Sequence, residues 1–281
     1  MEYAVEMRNI VQKFGEKEVL KGIDLKIHEG EIFGLLGPSG AGKTTLIKIL
    51  TGQLKQTAGE VQFLGKNAGN GKKGLPDMGM MMDNFGLYER LTCYDNLKLF
   101  TRIYGVPGKK ADEALRRVGL YGDRKQPVMK LSKGMRSRLL LARAVMNEPR
   151  ILFLDEPSSG LDPVTAAEIH KLVCEERSRG ATIFLTTHNM EEAHKLCSHV
   201  ALLHEGMIVE YGQPEQVCRR YNHQNKLLIR LYGGEQVELS NNRTSADKVK
   251  GYLEQEMVET IHSTEPSLET VFMELTGRGF E

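Results

Sequence analysis

Gly37-Pro38-Ser39-Gly40-Ala41-Gly42-Lys43-Thr44-Thr45 fits the pattern Gly-x4-Gly-Lys-Ser/Thr, and the residues on either side of it fit as well. Ile32-Phe33-Gly34-Leu35-Leu36 reads as a buried strand entering the loop, and Leu46 to Leu50 as a helix leaving it. Glycines at 37, 40 and 42 let the backbone turn its N–H groups inward, so a polyphosphate meets several donors and the positive end of a helix together. Lys43 adds a full positive charge for β- and γ-phosphates, and the Thr44 hydroxyl can hold Mg²⁺. The stretch predicts a phosphate-binding loop between a strand and a helix, and with it an α/β fold.

A phosphate loop requires an acid for its metal, and Ile151-Leu152-Phe153-Leu154-Asp155-Glu156-Pro157 supplies two. Four apolar residues before paired carboxylates describe a buried strand that delivers acids to the carboxyl edge of a sheet, where open α/β folds place their ligands. Neighbours on a strand point to opposite sides, so Asp155 and Glu156 divide the work: one holds the Mg²⁺ shell and the other faces the attacking water. Ala181-Thr182-Ile183-Phe184-Leu185-Thr186-Thr187-His188 is a second buried strand with a polar end. On this evidence alone His188 is structural or catalytic.

Outward from this centre, Tyr3, Val5, Met7 and then Ile23, Leu25, Ile27 alternate with polar residues, which predicts an N-terminal antiparallel β layer. Between these strands stands Phe14, able to stack on a base or to pack a hairpin. Met78 to Met82 reads as a further buried strand ending on Asp83. From about 92 to 147 the pattern turns helical, an inserted subdomain. Near its end Leu131-Ser132-Lys133-Gly134-Met135 opens a long helix, with Ser132 as a plain N-cap or part of an anion site. After about Tyr221 the pattern restarts as a small α+β appendage that ends in a helix, Ser267 to Leu275, with Gly277 just beyond it. The predicted division is 1–220 and 221–281.

Composition narrows the partners. The 281 residues carry 38 Lys+Arg against 37 Asp+Glu, so no basic field recommends nucleic acid. No run of 18 apolar residues occurs, and Met1 to Arg8 lacks the apolar core of a signal peptide, so the expected location is the cytosol. Cys93, Cys174, Cys197 and Cys218 form no Cys-x-x-Cys pair and are expected to be free thiols.

Together these segments resemble the ATP-binding subunit of an ABC transporter over residues 3 to 220, with a P-loop NTPase core and parallel sheet. By that resemblance Gly37 to Thr45 is the Walker A loop, Ile151 to Glu156 the Walker B strand, Leu131 to Met135 the signature, Ser159 to Asp162 the D-loop and His188 the switch histidine. The resemblance implies that Phe14 stacks on adenine, that Lys43, Thr44 and Thr45 hold phosphates and metal, and that Glu156 polarises the water. It further implies that ATP lies between one subunit's Walker A loop and the Ser132 and Gly134 of a second subunit. A separate membrane permease is then the partner, and the cytoplasmic face of the membrane the place of work.

Three departures from the family pattern matter. Asp83 stands at the Q-loop position, where glutamine is usual; one carbon shorter and charged, it reaches the metal only through water, and acidic residues there resemble transporters of bacitracin-like and lantibiotic peptides. Lys133 replaces glycine and Met135 replaces glutamine in the signature. Both resemble drug-export ATPases, as does the tail Pro266-Ser267-Leu268-Glu269-Thr270-Val271-Phe272. An exporter ATPase is the expected function. The alternative is an ATP-dependent clamp that dimerises and hydrolyses little.

Overall fold

The computed structural model describes residues 3–67, 78–82, 86–223 and 225–277. Its N-terminal hairpin is longer than the alternation predicts: β1 (Tyr3–Phe14) and β2 (Lys17–His28) each run for twelve residues. Phe14, expected between the two strands, instead completes β1, where it lies opposite Lys17. Irregularity lets the pair run on. The register shifts between Met7 and Ile10, with Asn9 at φ 48°, and such a bulge bends the strand without ending it. After β3 (Ile32–Leu36), the phosphate loop and α1 (Lys43–Leu50), the strands β4 (Ala58–Phe63) and β5 (Lys66–Asn67) extend this antiparallel layer in the order β2-β1-β4-β5.

The central sheet adds β6 (Met78–Met81), β7 (Ile151–Asp155), β8 (Thr182–Thr187), β9 (His199–His204) and β10 (Met207–Gly212) to β3, in the order β10-β9-β3-β8-β7-β6. All neighbours are parallel except β9 and β10, a hairpin turned by Glu205 and Gly206 at positive φ. Every residue of β3, β7 and β8 is buried, as expected of strands covered on both faces. Phe33, Phe184 and Phe153 lie side by side in register across β3, β8 and β7, with ring centroids 5.3 and 5.7 Å apart. Each buried phenylalanine contributes about 1.5–3 kcal/mol through removal from water. This rigid layer fixes the carboxyl ends of the three strands, from which the site is built.

The helical segment holds α2 (Cys93–Tyr104), α3 (Lys109–Arg117) and α4 (Lys133–Val145) around its own core of Leu97, Ala111, Leu115, Val118 and Leu139. It meets the sheet through α4 and β6. A Cβ at Gly79 would stand 2.1 Å from the Ala144 carbonyl, so only glycine allows this approach. Two more helices, α5 (Pro163–Ser178) and α6 (Met190–Leu196), connect the last sheet strands.

Contacts divide the chain after Gln213, seven residues before the expected boundary. The second unit opens with α7 (Pro214–Arg220), which packs with the terminal helix. It continues with β11 (Lys226–Leu231), β12 (Gln236–Ser240), α8 (Ala246–Glu254), β13 (Val258–Ser263) and α9 (Leu268–Thr276), its strands antiparallel in the order β12-β11-β13. Ser267 caps α9 by accepting the Thr270 N–H, while Leu268, Val271 and Phe272 are buried beneath it. All four cysteines are free.

Candidate nucleotide-binding site

The loop after β3 takes its shape from glycine. Gly40 (φ 82°) and Gly42 (φ 115°) occupy the left-handed region, and a Cβ at Gly37 would lie 2.3 Å from the Leu203 carbonyl of β9. Gly42 is also the N-cap of α1 and offers no side chain, so the first turn of the helix keeps its N–H groups for an external acceptor. Lys43, 8% exposed, folds back so that Nζ donates to the Gly37 carbonyl (2.5 Å) and the Pro38 carbonyl (3.4 Å) and lies 3.5 Å from Glu156 Oε1. Ser39 and Thr44 are exposed, Pro38 and Thr45 half-buried and Ala41 buried.

Asp155 closes β7 and is 7% exposed. Its Oδ1 accepts the Thr186 hydroxyl of β8, and its Oδ2 accepts the Thr44 hydroxyl at 3.3 Å. A threonine hydroxyl and a carboxylate oxygen face to face form the hard-oxygen pair that suits Mg²⁺, which usually takes one or two carboxylates and completes its shell with phosphate and water. Glu156 parts from Asp155, though not through strand alternation as expected. The strand has ended, and Glu156 adopts φ 50° while its N–H donates to the Thr186 carbonyl at 3.0 Å. A non-glycine residue held there costs about 1–3 kcal/mol and marks a position fixed by its surroundings. The Glu156 carboxylate bridges two cations or donors: Oε1 faces Lys43, while Oε2 lies 2.7 Å from His188 Nδ1 and accepts the His188 N–H at 3.3 Å.

The remaining expected residues lie elsewhere. Phe14 is 51% exposed at the tip of the β1–β2 hairpin, which removes the reading of a packed hairpin residue. The same hairpin backs the loop, since a Cβ at Gly42 would meet Leu20 Cδ2 at 2.8 Å, and it reaches the β9–β10 turn, where the Lys21 N–H donates to the Gly206 carbonyl. Ser132 is an exposed N-cap of α4 whose hydroxyl accepts the Met135 N–H at 3.2 Å. Gly134 packs on α5, where an added Cβ would stand 2.6 Å from Thr165 Cγ2. No bond among the described residues joins Ser132 or Gly134 to the phosphate loop. Asp83 lies outside the described residues. Sequence reasoning missed Thr186 as the second anchor of Asp155 and Thr165 as the neighbour of Gly134. Local sequence carries no sign of either pairing; for Thr186 the only cue is its place at the end of a buried strand.

A parallel sheet that carries a glycine loop on one strand, an acid pair on a second strand and a histidine after a third defines a P-loop nucleoside triphosphatase. The family profile described as ABC transporter matches residues 20–159. A fluoroquinolones export ATP-binding protein of Mycobacterium tuberculosis is 41% identical over 264 residues, 92% of this chain and 88% of that protein. A lantibiotic transport ATP-binding protein of Streptococcus pyogenes is 33% identical, covering 78% of this chain and 96% of the relative. Among solved structures, a dimeric, post-hydrolysis ATP-binding cassette bound to ADP and Pi superposes with a TM-score of 0.68 at 28% identity, over 74% of this chain and 98% of that one. The chain belongs to the ABC transporter ATP-binding family: it is a nucleotide-binding, ATP-hydrolysing subunit.

Proposed function

We propose that this chain drives export of a drug or antimicrobial peptide through a separate membrane permease, and that it works as a head-to-tail dimer at the cytoplasmic face of the membrane. The contact of Glu156 with both Lys43 and His188 carries the hydrolytic part of this reading, because it places a base where the phosphate-binding lysine and a second polar group converge. The export part rests on relatives named for fluoroquinolone, lantibiotic and bacitracin transport. The first of these aligns over 92% of this chain, so the likeness exceeds what the 140 residues of the family profile cover. Among the described residues no helix is long and apolar enough to cross a membrane, in keeping with a permease on another chain.

In this reading the N–H groups of Gly37 to Thr45 and the Lys43 ammonium bind the phosphates, and Glu156 accepts a proton from water while His188 holds its carboxylate in place. Mg²⁺ between Thr44 and Asp155 would neutralise charge on the transferring phosphoryl group. Phe14 supports adenine. Ser132 and the first turn of α4 reach the nucleotide of a partner copy. Asp83, at the Q-loop position by resemblance, adjusts the metal's hydration. The cassette is taken to end near Gln213, with the helical part about 92–147, and the second unit follows as an extension. The clamp alternative needs a hydrolytically silent site, and the Glu156–His188 contact disfavours it.

Glu156→Gln tests the proposal. The variant should lose about 10²–10⁴-fold in ATPase rate, the usual worth of a general base, while still binding ATP. Light scattering after size exclusion should then report an ATP- and Mg²⁺-dependent dimer. Full hydrolysis by the variant would overturn the assignment of the base, and a monomer at saturating ATP would overturn the self-sufficient homodimer.

A further inference from the structure

Behind the Glu156–His188 pair lies a buried carboxylate that none of the assignments above uses. Glu192, on α6, is 2% exposed. Its Oε1 accepts the Ser158 hydroxyl at 2.5 Å and lies 2.8 Å from His170 Nε2 of α5. Its own N–H donates to Asn189 Oδ1 at 3.0 Å, which caps α6, while the Asn189 N–H donates to Thr187 Oγ1 at 3.0 Å. Burial pushes this carboxyl up, yet hydrogen bonds from His170, Ser158 and Thr187 outweigh the burial and hold it below the usual carboxylate range. Glu192 is therefore an ionised group kept inside the protein by its partners.

Those partners come from three segments. Ser158 lies two residues after Glu156, in a turn where Ser159 donates to the Glu156 carbonyl and Leu161 to the Ser158 carbonyl. That turn leads through Gly160 to Asp162, the N-cap of α5. Thr187 and Asn189 flank His188 on either side. His170 stands on α5 itself. Glu192 thus joins three segments: its carboxylate holds the backbone after the general base and the helix behind it, and its N–H, through Asn189, holds the backbone around the histidine. A buried charge left with a missing partner costs far more than an exposed one, so the three segments cannot easily move apart while Glu192 stays ionised.

We propose that Glu192 is a positioning residue for ATP hydrolysis, which through Ser158 and the Thr187–Asn189 segment fixes the distance between Glu156 and His188 and makes the turn 158–162 move with that pair. It rests on the reading of Glu156 as the base. The consequence is a mechanical link: displacement of the turn, which precedes α5, reaches the histidine segment through the Glu192 side chain, its N–H and Asn189. Glu192 touches no nucleotide-binding group, so it should affect the rate of the chemical step and leave ATP binding alone.

The experiment uses the full chain, with Ser158→Ala, Glu192→Gln and the double variant. Ser158→Ala removes one hydroxyl from a half-buried site and should fold normally. Each single change should lower kcat for ATP hydrolysis about five- to tenfold with KM for ATP unchanged, since a misplaced base loses rate and the phosphate loop is untouched. Glutamine remains an acceptor but an uncharged and weaker one, so Glu192→Gln and Ser158→Ala act on the same bond and the double variant should fall well short of the product of the two single losses. Hydrogen exchange of the nucleotide-free chain supplies a readout independent of hydrolysis. In Ser158→Ala the amides of Asn189 and Ala193 should exchange faster although the mutation lies more than thirty residues earlier in sequence. Multiplicative losses, or faster exchange confined to residues 158–162, would overturn the link. Full activity in Glu156→Gln with the exchange effect intact would instead overturn the reading of Glu156 and leave the mechanical link standing.

Discussion

Two helices of this protein open toward bound phosphate in the proposed assembly, and they open differently. At α1 the N-cap is Gly42, without a side chain, and the adjacent Lys43 is buried against loop carbonyls and Glu156. At α4 the N-cap is Ser132, exposed, and its hydroxyl already accepts the Met135 N–H. The first helix end has no side-chain cap, whereas at the second the Met135 N–H is already capped within its own chain. In the proposed assembly, a single chain therefore carries one half-site whose helix end is open to phosphate and one whose helix end is capped in the free chain. The second half needs the approach of a partner copy, with nucleotide already bound there, before its cap has reason to change.

The largest effect should come from the first half. Lys43→Ala removes the only full positive charge in the loop, and hydrogen bonds to charged groups are worth about 1.5–3 kcal/mol. ATP affinity by calorimetry should fall about ten- to a hundredfold, with folding unimpaired because the loop glycines remain. Unchanged affinity would mean that the backbone N–H groups alone bind the phosphates. Ser132→Ala should behave in the opposite way: nucleotide binding to the single chain is unchanged, while the ATPase rate falls about tenfold, equivalent to about 1.4 kcal/mol at the transition state. Mixing the two variants sharpens the contrast. In a head-to-tail dimer of one Lys43→Ala chain and one Ser132→Ala chain, one site carries both defects and the other carries neither, so activity should reappear on mixing. No recovery would place Ser132 in its own chain's site.

The difference between the halves also explains what could be read from sequence. The phosphate loop, the strand before it and the acid pair are local: Gly37 to Thr45 and Ile151 to Glu156 specify their chemistry within nine and six residues, and the structure brings them together. Phe33, Phe153 and Phe184 likewise follow from apolar runs. What escaped are pairings between segments far apart in sequence. Thr186 reaches Asp155 across 31 residues and Ser158 reaches Glu192 across 34, and no periodicity encodes such contacts. For Glu156 strand alternation gives the right divergence for the wrong reason, since alternation applies only while a strand lasts and here the chain turns at φ 50°. Strand β13 leaves no mark in the sequence, because Val258-Glu259-Thr260-Ile261-His262-Ser263 buries none of its residues fully and so has no clear apolar face.

Gly134 packs within its own chain, and that packing can be tested apart from the part the proposal gives it at a partner's nucleotide. An added Cβ would stand 2.6 Å from Thr165 Cγ2, closer than carbon atoms tolerate, so α4 and α5 would have to separate slightly. Gly134→Ala should destabilise the protein by about 1–2 kcal/mol through overpacking, measured by urea denaturation. Adding Thr165→Ser, which deletes the offending methyl, should recover most of that loss. If the pair recovers stability but not ATPase activity, the glycine is needed at the nucleotide as well as at α5. If activity returns with stability, its importance is packing alone.

The smallest effect belongs to Phe14, which separates binding from folding most cleanly. At 51% exposure on the hairpin tip it contributes little to the core, so Phe14→Ala should leave stability within about 0.5 kcal/mol. A ring that stacks on the base is worth about 1 kcal/mol, so ATP affinity should fall roughly fivefold. Every base has a π-face, and GTP should lose as much as ATP, while Phe14→Tyr should keep the affinity for both. A loss confined to ATP would require hydrogen bonds to the base edge, which a phenyl ring cannot make. No loss for either nucleotide would show that the first half-site grips its ligand by the phosphates alone, and would narrow the contrast between the two helix ends to Lys43 and the uncapped turn behind it.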